Sequence, residues 1–176
     1  NTELTEFVKA AAALRAAHPV LHNPLMLKGT DYLSCGCPDY SVHGKSAWRR
    51  DDSPYNRSVG ILLGGAFALK NRTEQDASFY LMFNMYWEEQ TFEIPLLPGN
   101  QCWKPVIATD ADWKPEIKDN RITVPPRTIA VLQSEENHVT VKSKRKKEKA
   151  ESVSHAGEHM GHDVLGQSPR AEACVL

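Results

Sequence analysis

The segment from Phe79 to Pro98 constrains the fold of this chain more than any other part of the sequence. Phe79 to Tyr86 is apolar on both faces, which is typical of a central strand that is covered on both sides. A polar turn with Tyr86 and Trp87 exposed follows, and Thr91 to Ile94 then alternates between polar and apolar residues. The segment predicts a buried strand, a turn that carries an exposed aromatic pair, and a second strand that ends at proline.

Short strand-like segments lie on both sides of this segment. Val59 to Leu69 is apolar but contains three glycines, which predicts a bulged or closely approached strand. Further strands are expected at Trp103 to Ala108, Arg121 to Val124 and Thr128 to Leu132. Short strands separated by turn residues at regular spacing predict an antiparallel β-sandwich.

The N-terminal part predicts one helix followed by a long loop region. Residues 3–18 carry an apolar stripe at helical spacing, and Pro19 ends the helical pattern. The stripe consists of Leu4, Phe7, Val8, Ala11 and Leu14. Residues 20–57 are rich in Gly and Pro, which predicts loops with one or two short strands near Met26 to Leu33.

The C-terminal part changes in composition. Val139 to Val141 is compatible with a last edge strand, and a basic run from Lys144 to Lys149 then leads into a Ser-, His-, Gly- and Glu-rich tail. So little apolar surface cannot offset the entropy of ordering, so we expect residues 143–176 to be disordered. The predicted fold class is therefore mainly β: an antiparallel β-sandwich with one N-terminal α-helix and a disordered C-terminal tail.

Size and charge exclude several classes of protein. A chain of 176 residues is too short for a (β/α)₈ barrel, and a net charge of −1 favours neither nucleic acid nor membrane as a partner. The four cysteines and the absence of an export signal predict free thiols in the cytoplasm. Because the chain opens at Asn1 within a helical pattern, we expect further sequence upstream.

Four segments resemble the C-terminal β-domain of isoamylase-type and glycogen-debranching enzymes, which belong to the α-amylase superfamily of glycoside hydrolases. In chain order they are Leu4 to Leu21, Asp31 to Trp48 with its Pro-Asp…His-Gly…Ala-Trp pattern, Phe79 to Pro98, and Val124 to Leu132. The resemblance implies that residues 1–22 end with the last helix of a missing catalytic barrel. It also implies that residues 23–142 form the β-sandwich domain and that residues 143–176 form a separate tail.

The same resemblance implies a parent enzyme that hydrolyses α-1,6 branch points in glycogen or amylopectin-like glucans. The catalytic carboxylates of such enzymes lie in the barrel, so we predict no catalytic residue in this chain. The missing barrel of the same polypeptide is the expected partner, and it would contact Leu4, Phe7, Val8, Ala11 and Leu14. The second expected partner is an α-glucan, which would be bound by the parent enzyme.

Three acidic pairs in the chain are candidates for a catalytic centre: Asp51-Asp52, Glu88-Glu89 and Glu135-Glu136. A retaining glycosidase needs two carboxyl groups about 5–5.5 Å apart around the bond, whereas neighbours on a strand point to opposite faces. These pairs are therefore expected to lie in solvated turns and not in a catalytic site.

Cys35, Cys37 and His43 suggest a zinc site. A structural zinc site needs four ligands, and these three residues have no fourth partner, so we predict neither a metal nor a cofactor.

Four residues are candidates for sugar contact because pyranose rings stack on exposed aromatic faces: His43, Trp48, Tyr86 and Trp87. The alternative, which the sequence favours, is that these side chains pack on the sandwich or against the missing barrel. Two other functions remain open, namely a free-standing α-glucan-binding module and a small metal-binding protein. The helix at residues 3–18 argues against the first, since a binding module does not require it.

Overall fold

A five-stranded antiparallel sheet forms the centre of the domain. The computed structural model describes residues 2–71 and 73–136. In order across the sheet, the strands are β1 (Tyr40–His43), β2 (Ser58–Leu63), β5 (Phe79–Asn84), β9 (Thr128–Glu136) and β7 (Gln101–Ala108). The predicted mainly β, antiparallel fold with one N-terminal helix is therefore confirmed.

The middle strand β5 is the predicted doubly covered strand. It pairs with β2 from Ser58↔Asn84 to Leu63↔Phe79, and with β9 from Phe79↔Gln133 to Asn84↔Thr128. Edge strand β7 contains Pro105, which has no N–H to donate, and its register with β9 shifts between Pro105 and Ile107. A bulge at this point lets the edge strand tolerate the proline.

A two-stranded unit, β6 (Gln90–Glu93) and β8 (Arg121–Val124), covers one face of the sheet. Both strands alternate between exposed and buried residues, as a half-buried strand should. The core between the two layers consists of Leu62, Tyr80, Met82, Phe92, Ile94, Ile122, Val124, Ala130 and Leu132. This packing accounts for the sandwich-like architecture.

The opposite face of the sheet carries a smaller apolar cluster. Phe79 and Val131 contact Val20 and Ala68 there, and Leu14 of the helix packs against this cluster. Helix α1 (Thr2–Ala17) leads into a 3₁₀ turn at Pro19–His22, and a second 3₁₀ turn spans Gly65–Phe67. Short strands β3 (Leu69–Lys70) and β4 (Glu74–Gln75) follow this second 3₁₀ turn and form a separate antiparallel pair.

A buried carboxylate fixes the exit of α1 on the sheet. One oxygen of Asp76 lies 2.7 Å from His18 Nδ1 and 3.2 Å from Lys70 Nζ, and the other accepts the Val20 N–H at 3.0 Å. Burial raises the pKa of Asp76, but the hydrogen bonds from Val20, His18, Ala77 and Lys70 outweigh it and leave the pKa lowered. The carboxylate therefore stays charged and holds the helix exit in place.

The prediction of a strand near Met26 to Leu33 is wrong. The strand in this region is β1, and residues 24–39 contain no strand. The carboxylate of Asp39 accepts the N–H groups of Lys28, Gly29 and Thr30, so these donors bind a side chain instead of a neighbouring strand. Backbone donors that a side chain satisfies in this way are not available for pairing with a strand.

Two predictions lie outside the described residues, namely the edge strand at Val139 to Val141 and the tail of residues 143–176. No helix in the described part of the chain has the length and apolar character needed to cross a membrane.

Candidate functional site

The turn between β5 and β6 is shaped by one buried amide. The Nδ2 atom of Asn84 lies 2.8 Å from the carbonyl oxygens of Glu88 and Pro125 and 3.1 Å from that of Val124. Its Oδ1 atom accepts the N–H of Tyr86 at 3.1 Å. The conformation of the aromatic turn is thus set by Asn84, which sequence reasoning did not single out. A polar residue at the end of an apolar strand was the available signal.

The turn presents a stacked aromatic pair. The rings of Tyr86 and Trp87 have centroids 4.0 Å apart and planes inclined by 27°, and the Arg57 guanidinium lies 5.5 Å from the Trp87 ring centre. The Tyr86 carbonyl accepts the Arg127 N–H at 3.0 Å. Trp87 nevertheless remains 56% exposed. The pair is therefore held in place, with Trp87 open to solvent as the sequence predicted and Tyr86 half-buried.

A cleft of about 400 Å³ lies beside this pair. Its walls come from the long loop between β1 and β2 and from the β5–β6 turn. The Met85 N–H donates to the Arg57 carbonyl at 2.8 Å and so links the two. Lys45 Nζ donates to Gln90 Oε1 at 3.0 Å across the cleft. The lining residues are Lys45, Asp51, Ser53, Tyr55, Asn56, Arg57, Ser58, Tyr86, Glu88 and Gln90.

His43 and Trp48 form a different cluster, outside the residues that line the cleft. The buried His43 ring lies with its centroid 5.0 Å from Trp48 and 5.6 Å from Tyr80, and its Nε2 atom hydrogen bonds Ser41 Oγ at 2.7 Å. Burial lowers the pKa of His43, so the ring is neutral at neutral pH. The four predicted sugar-contacting residues therefore fall into two groups, and Trp48 covers the ring of His43.

Two buried polar atoms in this cluster have no hydrogen-bond partner among the described residues, His43 Nδ1 and Tyr80 Oη. Burial, together with the negative charge of Glu93, raises the pKa of Tyr80, so its hydroxyl stays protonated. Trp48 itself has a φ of 60° and is 48% exposed. The positive φ shows that the loop after β1 is held in a conformation that tryptophan rarely adopts.

The cysteine loop has the geometry of a thiol pair. The Sγ atoms of Cys35 and Cys37 are 3.9 Å apart, and Asp31 accepts the N–H groups of Cys35 and Gly36. Burial, the neighbouring Cys35 and Asp31 raise the pKa of the Cys37 thiol to about 12, so its thiolate is disfavoured. Across residues 2–71 and 73–136, no three His, Cys, Asp or Glu side chains are grouped so as to hold a metal ion.

The acidic pairs are placed on loops and at a strand end. Asp51 and Glu88 line the cleft, and both are exposed. Glu135 forms an ion pair with Lys104 of the neighbouring strand at 3.0 Å. Glycoside hydrolysis uses a carboxyl group kept protonated by an enclosed apolar environment, and the open, polar cleft does not provide one. The arrangement is suited to binding rather than to bond cleavage.

Comparison of the chain with protein-family models and with curated proteins finds no match.

Proposed function

We propose that this chain is the C-terminal accessory β-domain of an isoamylase-type, glycogen-debranching glycoside hydrolase. In the whole enzyme a barrel upstream of this domain would hydrolyse the α-1,6 bonds of a branched glucan with its own carboxylates. The present domain would carry no catalytic residue and use no cofactor, and it would brace the barrel. A cytoplasmic location is consistent with three free thiols among the described residues, those of Cys35, Cys37 and Cys102.

The observation that carries this proposal is the incomplete burial of α1. No residue of the helix is fully buried, although its exit is fixed to the sheet by the bonds to Asp76. Leu14 packs on the sheet and Phe7 and Ala11 are half-buried, but Leu4 and Val8 remain 59% and 56% exposed. A helix is stabilised mainly by burying its apolar stripe, so the exposed half of this stripe is suited to a further packing partner.

The segment that resembles the family's Pro-Asp…His-Gly…Ala-Trp pattern also supports the proposal. Asp39 closes the loop over residues 28–30, and His43 is buried under Trp48. Gly44 donates its N–H to the Arg49 carbonyl, and a Cβ at this position would lie 2.8 Å from the Asp51 side chain. Four residues of the pattern, Asp39, His43, Gly44 and Trp48, therefore have defined structural roles.

The experiment supplies the missing partner. A catalytic barrel of an isoamylase-type enzyme, freed of its own C-terminal domain, is mixed with the full chain, and binding and thermal unfolding are measured. Docking at about 100 times the dissociation constant contributes about 2.7 kcal/mol, which corresponds to an increase in Tm of roughly 5–10 °C. Phe7→Asp should abolish this increase while the β-domain stays folded.

The matched control is Phe92→Asp, because Phe92 is fully buried in the sandwich core. This variant should unfold the domain, whereas Phe7→Asp should not. If Phe7→Asp unfolds residues 58–136 as severely as Phe92→Asp does, or if the barrel leaves the Tm unchanged, the accessory role is wrong. The alternative function, a free-standing α-glucan-binding module, would then fit better, and the exposed Trp87, stacked on Tyr86, favours it.

A further inference from the structure

The charges that line the cleft are balanced. Two cations, Lys45 and Arg57, are matched by two carboxylates, Asp51 and Glu88. The other polar lining residues provide hydroxyl and amide groups: Ser53, Asn56, Ser58 and Gln90. Such a surface offers both donors and acceptors to a ligand, but no net charge to attract an ion. Its chemistry fits a neutral, polyhydroxylated ligand.

Aromatic faces lie next to these polar groups. Tyr86 lines the cleft and stacks on Trp87, and Tyr55, which is 86% exposed, lines it as well. A flat apolar face beside convergent polar groups is the combination that a pyranose ring requires, since its C–H face is apolar and its rim carries hydroxyls. The volume of about 400 Å³ lies within the usual range for small-molecule sites.

The walls of the cleft are already ordered by internal hydrogen bonds. Asn56 donates to the Asp51 carbonyl at 3.0 Å and accepts the Ser58 N–H at 2.9 Å. Lys45 uses one of its three ammonium hydrogens on Gln90, which leaves donor capacity for a ligand hydroxyl. Because Asn84 also fixes the aromatic turn, this part of the cleft loses little conformational entropy when a ligand binds.

We infer that this cleft, with the Tyr86–Trp87 pair at its edge, binds a segment of neutral α-glucan chain outside any catalytic centre. The cleft geometry indicates a neutral oligosaccharide, and the α-glucan identity depends on the proposed function. An accessory domain that only braces a barrel would not need such a site. The domain would thus hold a branched polymer near the barrel as well as support the barrel.

The test is titration of the full chain with maltoheptaose, followed by calorimetry and by the NMR signal of the Trp87 indole N–H. Trp87→Ala should weaken binding roughly tenfold through loss of an aromatic contact, and Tyr86→Ala should do the same. Because the ligand is neutral, affinity should change less than about twofold between about 50 mM and about 500 mM salt.

Trp48→Ala is the matched control, since Trp48 is exposed to a similar degree but packs on His43, whereas Trp87 stacks on Tyr86, which lines the cleft. It should leave the affinity for maltoheptaose within about twofold of that of the parent chain. An unchanged denaturation midpoint in Trp87→Ala confirms that its fold is intact. No binding at about 10 mM maltoheptaose, equal losses in both tryptophan variants, or binding of cellohexaose instead would each overturn the inference.

Failure of this inference can be distinguished from failure of the proposed function. Phe7→Asp should still bind maltoheptaose with the affinity of the parent chain, because α1 contributes no residue to the cleft. If the parent chain binds maltoheptaose but does not dock on the barrel, the accessory role alone is overturned. If the parent chain docks on the barrel but binds no maltoheptaose, the inference about the cleft alone is overturned.

Discussion

Single buried polar residues determine the loops of this domain. Asp39, Asp76 and Asn84 each satisfy several backbone groups that no strand pairs, and each lies where a loop meets the sheet. The residue types are visible in the sequence, but their partners are not. The partners of Asn84 include carbonyls 40 and 41 positions further along the chain, which only the folded arrangement brings close.

Asn84→Ala should destabilise the domain and disorder the aromatic turn. The substitution leaves the carbonyls of Val124, Pro125 and Glu88 without their side-chain donor, at an expected cost of about 2–4 kcal/mol. Urea denaturation measures this loss. Asn23→Ala is the control, because Asn23 is half-buried and donates to one carbonyl only, and it should cost about 1 kcal/mol. Equal losses would show that Asn84 has no special role.

Asp76 should make the domain sensitive to acid. Its pKa is lowered in the folded state, so its stabilising contribution is complete above the unfolded value of about 3.9 and is lost as pH falls through the folded value. The urea midpoint should therefore fall below about pH 4 in the parent chain. Asp76→Asn should be less stable at pH 7 and show a flatter acid profile, whereas exposed Asp112→Asn should behave like the parent. An unchanged profile in Asp76→Asn would contradict the assignment.

Among the elements, the sequence predicts those whose pattern extends over several residues. The helix expected at residues 3–18 is observed at Thr2–Ala17, and the doubly covered strand expected at Phe79 to Tyr86 is central strand β5. Strand β1 was missed because it lies within a Gly- and Pro-rich segment, and its neighbour β2 supplies the pairing that defines it. Short strands depend on partners that local periodicity does not contain.

The pairing of β2 with β5 depends on the glycine that the sequence marked as a close approach. A Cβ at Gly60 would lie 2.7 Å from Tyr80 Cζ, so Gly60→Ala should cost about 1–3 kcal/mol by overpacking. Tyr80→Phe alone should stabilise the domain by about 1 kcal/mol, because the buried hydroxyl has no partner among the described residues. In the double variant the cost of Gly60→Ala should be partly relieved.

A double-mutant cycle on these two positions, followed by urea denaturation, measures the relief as a coupling energy. Tyr40→Phe combined with Gly60→Ala is the control, because Tyr40 is not among the atoms nearest to the Gly60 position. Additive effects in the Gly60–Tyr80 cycle would show that the cost of the extra methyl group at position 60 does not come from a clash with the Tyr80 hydroxyl.

For the molecule as a whole, the sequence predicts the architecture better than the site. Alternation and turn residues are local, so a sandwich with an N-terminal helix follows from them. The cleft instead combines residues 45–58, which lead from β1 into β2, with residues 86–90, which lead from β5 into β6. Their meeting depends on the pairing of β1, β2 and β5 and on the bond between Met85 and Arg57. Of the four predicted residues, only Tyr86 lines the cleft directly.

The isolated chain should bind an α-glucan without hydrolysing it. Hydrolysis needs two carboxyl groups about 5–5.5 Å apart around the scissile bond, or somewhat further apart with a water between them, in an environment that keeps one of them protonated. The carboxylates of the cleft, Asp51 and Glu88, are exposed, and Asp51 accepts the Ser53 N–H at 3.0 Å. Incubation of the pure chain with glycogen should therefore release no reducing sugar, at any pH from about 4 to about 8.

Asp51→Asn and Glu88→Gln should change the affinity for maltoheptaose but leave the release of reducing sugar at the level of a blank without protein. Reducing sugar released by the pure chain and lost in either variant would make the cleft an active site, and the accessory role would then be wrong.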